Sequence, residues 1–172
     1  CQTGLAMLCS AGGQEVMDLV AVAHLATLKS RVPFVHFFDG FRTSHEIQKV
    51  EEIDAEGIKA LIDQQALADF RRRALNPNAP VTRGTAQNQD VYFQSREASN
   101  RFYDAVPDIV AGYMAQIFQL TGREYHPFDY YGAADAEQVI VAMGSVTHTI
   151  RQTVDYLNKQ GKKTGVVLVR LY

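Results

Sequence analysis

The sequence predicts an α/β protein built from parallel-sheet strand–helix–strand (βαβ) units. The order short apolar run, helical-period segment, short apolar run occurs twice, once near each end of the chain. The composition agrees: 47% hydrophobic and 21% charged over 172 residues is enough apolar material for a buried core. Lys+Arg 17 against Asp+Glu 19 leaves a net charge of -2, without the basic excess of a general nucleic-acid binder. No apolar run approaches the roughly 20 residues that span a membrane. The expectation is a soluble, cytoplasmic protein with neither nucleic acid nor membrane as partner.

The first unit opens with an apolar strand over residues 5–10, broken by Gly12-Gly13. Val16, Leu19, Val20, Ala23, Ala26 and Leu28 then recur at three- and four-residue spacing, which predicts an amphipathic helix over 14–30. Pro33 ends the connection, and Phe34-Val35-His36-Phe37-Phe38 reads as a buried strand closed by Asp39-Gly40. Strand, helix and strand at this spacing predict a right-handed parallel crossover.

The middle of the chain is more polar. Short helices are predicted over 55–63 and 65–75, with a breaker at Asn76-Pro77-Asn78-Ala79-Pro80 and an extended segment or ordered loop over 81–88. Residues 95–120 carry Phe102, Val106, Ile109, Val110, Tyr113, Ile117 and Leu120 at helical spacing, kinked or split at Pro107. Thr121-Gly122-Arg123 stops this run, and 123–137 reads as a linker between one domain over 1–122 and a second over 138–172. The second domain shows a strand over 138–143, a Gly144-Ser145 turn, a helix over 146–160 with Ile150, Val154 and Leu157 inward, and a strand over 164–171. The start at Cys1 and the apolar run 166–169 close to Tyr172 give both ends the look of cuts through a longer protein.

The densest group of chemically useful side chains is Arg42, Ser44, His45 and Glu46, just past a predicted parallel strand, where open α/β sheets place ligands. Arg42 suits a carboxylate or phosphate and His45 a proton transfer. Equally, Ser44 caps a helix start while Arg42 and Glu46 pair locally. Thr82, Arg83 and Thr85 around Gly84 form a second candidate polar loop, an anion cradle or simply an ordered turn. The Gly144-Ser145 turn opens a helix whose N-terminus accepts an anion in principle.

His24, His36, His45, His126 and His148 match no metal-ligand spacing, so no metal site is expected, and His24 and His36 read as hydrogen-bonded core or interface residues. Cys9 reads as a small core residue, and Cys1 with Cys9 cannot hold an iron–sulfur cluster. Tyr125, Tyr130 and Tyr131 are expected to pack the two domains together.

Five collinear segments carry a resemblance that spacing alone does not. They are QEVMDL from Gln14, VPFVHFFDGFRTSHEIQK from Val32, TRGTAQN from Thr82, YFQSREASN from Tyr92 and AMGSV from Ala142. The chain resembles the pyruvate:ferredoxin/flavodoxin oxidoreductases, the 2-oxoacid oxidoreductase family. It departs locally: Ala11-Gly12-Gly13 stands where a Ser-Val helix entry is expected, and Gln89 where proline is.

The resemblance implies the end of a thiamine-diphosphate-binding, pyrimidine-type domain followed by the start of a transketolase C-terminal-like domain. It further implies a long homodimeric enzyme of anaerobic metabolism. That enzyme uses thiamine diphosphate, magnesium and iron–sulfur clusters to convert pyruvate and coenzyme A into acetyl-CoA, CO2 and reduced ferredoxin or flavodoxin. The activating glutamate is expected upstream of Cys1, so no catalytic residue is carried onto this chain, which alone is expected to bind none of these cofactors and to be inactive. The alternatives are a non-catalytic assembly or binding module of the same ancestry, or an oxidoreductase for another 2-oxoacid.

Overall fold

The computed structural model describes residues 3–82, 84 and 86–172. In chain order these form β1 (Ala6–Ser10), α1 (Gly13–Ser30), β2 (Phe34–Phe38), α2 (Arg42–His45), α3 (Ala55–Ala60), α4 (Gln64–Arg72), α5 (Gln89–Asp104) and α6 (Val106–Thr121). They continue with β3 (Phe128–Gly132), β4 (Gln138–Ala142), α7 (Val146–Lys159) and β5 (Thr164–Val169).

In the first unit β1 and β2 pair in parallel, from Ala6 opposite Phe34 to Ser10 opposite Phe38. Leu19, Val22, Leu25 and Ala26 make the buried stripe of α1, and Val110, Tyr113, Met114 and Ile117 of α6 close on it. Contiguous apolar packing of this kind drives the fold, at about 25 cal/mol per Å² removed from water. Of the kink or split expected at Pro107, the structure has the split into two helices. Pro107 sits in the first turn of α6, where its missing N–H costs nothing, and so it starts a new helix rather than kinking an old one. The first of the two begins earlier than expected, at Gln89, because none of its residues is buried and no apolar stripe announces it. The strand expected to be buried, β2, is half-exposed: it pairs only with β1 and is the edge of its sheet. His24, expected in the core or an interface, lies on the exposed side of α1.

The second unit is a three-stranded sheet in the order β3-β5-β4. As expected, β4 and β5 are parallel, and α7 packs Val154 against Val166 and Leu168. The segment 123–137 is not a structureless linker. It contains β3, which pairs antiparallel with β5 from Phe128 opposite Val169 to Gly132 opposite Gly165. Its composition, with Pro127 and Gly132, hides a strand whose aromatic residues fit a pleated surface. Gly132 is required here: at φ 133°, a Cβ would come within 2.6 Å of the Gly165 Cα.

The two units share backbone. Met7 and Tyr172 exchange N–H···O bonds of 2.8 and 2.9 Å, and the Cys9 N–H donates to Arg170 O at 2.8 Å. The chain leaving β5 therefore runs antiparallel along the free side of β1. By contrast the outer edge of β4 is bare: Val139, Ile140 and Val141 are all exposed, Val141 at 69%. Parallel strands are normally covered on both faces, and bare edges template pairing with another chain. The 172-residue chain is expected to self-associate in sedimentation velocity, and Val141→Lys to shift it toward monomer. A wild-type monomer at all concentrations would contradict this.

Candidate functional site

A cleft of about 630 Å³ lies between the two units. Its walls are the turn from β1 into α1, the loop after β2, the first turns of α7, and Arg170 beyond β5. The carboxyl ends of β1, β2 and β4 all open onto it, the position at which open α/β sheets bind ligands.

Two helices begin at the cleft, and at each start a side-chain acceptor of the protein meets a backbone amide. At the start of α1, Glu15 accepts from the Ala11 N–H and Gln48 Oε1 from the Gly13 N–H at 3.1 Å. Gln14 fixes the same segment reciprocally, accepting from the Glu51 N–H at 2.7 Å and donating to Glu51 O at 3.0 Å. At the start of α7, the anion suggested by the Gly144-Ser145 turn is internal: the Asp39 carboxylate, at the tip of β2, accepts from the Ser145 N–H. Gly144 makes room for it, since a Cβ there would sit 2.6 Å from Asp39 Oδ2. His148 lies against Gly12, and Arg151 stacks on Tyr131 at 5.2 Å, its buried Nε without a hydrogen-bond partner.

Behind the cleft lie buried carboxylates that sequence reasoning did not single out. Asp18, fully buried on α1, receives Arg123 Nε at 2.6 Å, Arg123 Nη2 at 2.9 Å, the Tyr125 hydroxyl at 2.7 Å and Gln14 Nε2 at 3.2 Å. That uses the whole acceptor capacity of the carboxylate. Glu15 pairs with Arg170, which also binds Asp129 and donates to His126 O at 3.0 Å. Burial, then the hydrogen bond to Asp18, push the Tyr125 hydroxyl pKa well up. The legible clue was Asp18 itself, a charge one residue before Leu19 on the apolar stripe of a helix.

The expected loop residues do come together, but as a self-contained, exposed turn. Arg42 and Glu46 pair at 3.6 Å with side chains 77% and 46% exposed, and both face the cleft. Ser44 Oγ accepts from the Phe41 N–H at 2.9 Å and bonds His45 Nδ1 at 2.7 Å, while the His45 ring stacks on Phe41. Thr82 is exposed and outside the cleft, whereas Arg83 and Thr85 lie outside the described residues.

His36 is the hydrogen-bonded histidine expected, 2.7 Å from Ser10 Oγ, and burial lowers its pKa. Cys9 is a core residue: burial, then the nearby Asp39 and Glu15 charges, raise its thiol to about 11, far from a reactive thiolate. Of the three tyrosines expected to join the domains, only Tyr125 does. Tyr131 covers the Val154–Val166 core of its own unit, and Tyr130 bonds Ala133 O.

Among the described residues no group of His, Cys, Asp and Glu has a metal-binding arrangement, and no helix is long and apolar enough to cross a membrane. An iron–sulfur cluster needs four thiolates and the sequence has two cysteines. The buried carboxylates are held by arginine rather than free to bind a metal–diphosphate or activate a pyrimidine ring. Among the described residues these carboxylates therefore offer no ligand set for such groups.

Comparison with known proteins adds what geometry does not. Residues 1–115 match the family model described as "Pyruvate flavodoxin/ferredoxin oxidoreductase, thiamine diP-bdg", and residues 136–172 match "Pyruvate:ferredoxin oxidoreductase core domain II". A pyruvate-flavodoxin oxidoreductase of Enterobacter agglomerans is 62% identical over 170 residues, 99% of this chain and 14% of that protein. One from Klebsiella pneumoniae is 63% identical over 171 residues, covering 99% of this chain and 15% of its own. A pyruvate:ferredoxin oxidoreductase of Moorella thermoacetica is likewise 63% identical, with the same coverage. The chain thus spans about one-seventh of the length of these relatives.

Two predictions follow from the geometry of this site. Because the Arg42–Glu46 pair is solvated, Arg42→Ala should cost only about 0–1 kcal/mol in urea unfolding of the chain; a loss of several kcal/mol would mean that the pair is buried in solution. The second concerns acid. Burial raises the Asp129 pKa, but hydrogen bonds from Arg170 and His126 outweigh it and hold the carboxyl below its ordinary value. A folded pKa below the unfolded one contributes stability above about pH 3.9, lost as pH falls through the depressed folded value. Urea midpoints between pH 5 and pH 2 should fall more steeply for wild type than for Asp129→Asn, and equal slopes would refute the assignment.

Proposed function

The chain belongs to the pyruvate flavodoxin/ferredoxin oxidoreductase family, and on that premise we propose that it serves an enzyme oxidising pyruvate with coenzyme A to acetyl-CoA and CO2, with electrons passed to ferredoxin or flavodoxin. The observation that carries this is the collinear match of both family models, with 62–63% identity to such oxidoreductases across 99% of the chain. In this reading the whole enzyme is a cytoplasmic homodimer. Thiamine diphosphate supplies carbanion stabilisation and iron–sulfur clusters supply electron transfer, both held by residues beyond this chain.

The role proposed for these residues is structural positioning. The buried arginine–carboxylate groups fix the joint between a thiamine-pyrimidine-type domain, residues 1–122, and the start of a transketolase C-terminal-like domain, residues 138–172. Arg42, Ser44, His45 and Glu46 stand ready at the cleft mouth for contact with the rest of the enzyme or with its second subunit. Thr82, Arg83 and Thr85 are a second group proposed for such contacts, on sequence grounds alone. Neither group is assigned a proton transfer.

The test is expression of the full-length protein under anaerobic conditions. Reduction of flavodoxin or ferredoxin should require both pyruvate and coenzyme A, while the 172-residue chain alone shows no turnover and contains neither iron nor acid-labile sulfide. Preference of the full-length protein for another 2-oxoacid, absence of any 2-oxoacid-dependent reduction, or turnover by the isolated chain would each overturn the proposal.

A further inference from the structure

We propose that the carboxylates of α1 latch the two sheet units into one cooperative body, so that the cleft between them is preformed rather than closed by a hinge.

The second unit has little with which to stand alone. Its buried apolar core is Val154, Val166 and Leu168, supported by Tyr131, Ala142 and Ile150. Sheet fragments of this size, near the lower limit for autonomous folding, need a further source of stability. Here that source is the first unit, and it acts at three places. Deepest is Asp18, whose bonds run to Arg123 and Tyr125 in the segment that leads into β3. Next is Glu15, bound to Arg170 just beyond β5, which in turn holds Asp129 of β3. At the mouth, Asp39 of the β2 tip caps the turn into α7. The backbone bonds of Met7 and Cys9 with residues 170–172 lie between these ties.

The deep ties bring guanidinium groups against side chains that are almost entirely withdrawn from water: Asp18 is 0% exposed, and the Arg170 and Glu15 side chains 11% and 10%. A hinge at this joint would break the charge-assisted Glu15–Arg170 pair and the backbone bonds of Met7 and Cys9 with Arg170 and Tyr172 in the same movement. Such an interface opens with unfolding, not before it. The latch is independent of the reaction assigned above, since it concerns the folding of this chain alone.

The experiment is hydrogen exchange followed by mass spectrometry on the 172-residue chain, beside differential scanning calorimetry. Wild type should show one thermal transition, with amides 150–158 of α7 as protected as those in the middle of α1. Asp18→Asn and Glu15→Gln lie on α1, outside the second unit. Each should nevertheless raise exchange across 150–158 at least tenfold. Separate transitions for the two units in wild type, or α7 exchange within twofold of wild type in both variants, would overturn the latch. Should neither variant fold, Asp39→Asn at the exposed cleft mouth decides: about threefold faster α7 exchange supports coupling, and unchanged exchange rejects it.

Discussion

Asp18 is the constraint around which this molecule is arranged. A carboxylate on the apolar stripe of a helix cannot be buried alone, because the cost of removing its hydration exceeds what a marginally stable domain can tolerate. It must be met by donors, and the donors come from a segment 105 residues further along the chain, where Arg123 and Tyr125 occupy both its oxygens. Once that pairing is imposed, the chain leaving α6 has to cross the start of α1 before it can form β3. The place of the second sheet follows from it. Removal of one partner from such a group costs roughly 3–5 kcal/mol, a large part of the stability of a domain this size.

Glu15 extends the same logic toward the cleft. Its one carboxylate serves the Ala11 N–H at the start of α1 and the Arg170 guanidinium from the other unit. Helix capping and domain attachment therefore share a group, and the orientation of α1's first turn is tied to that of β5. Asp39 acts in the same sense, reaching from the first sheet to the turn that opens the helix of the second. In both cases the first unit supplies the carboxylate and the second unit the amide or cation that it meets. The result is a cleft with a side-chain acceptor on an amide at each helix start, and with Arg42, His148 and Arg151 among its lining groups.

The exposed surfaces complement this rigid joint. The edge of β4 and the length of α5 carry apolar side chains that nothing in this chain covers, including Val141 and Phe93. The chain spans about one-seventh of its relatives' length.

Local periodicity determined the elements whose burial is one-sided and regular: β1, α1, α6, β4, α7 and β5 are where apolar spacing places them, and Pro107 and Gly122 mark their ends. The polar turn at Arg42–His45 was equally visible, since its hydrogen bonds are between near neighbours. Tertiary structure alone decided the rest. The strand β3 is stabilised by β5, not by its own composition, and α5 has no buried face to leave a pattern. The pairings of Asp18 with Arg123, Glu15 with Arg170 and Asp39 with Ser145 join residues that are 105, 155 and 106 positions apart. Sequence spacing records only what repeats along one element. A buried charge records that a partner must exist, but which residue answers it is fixed by how the elements pack.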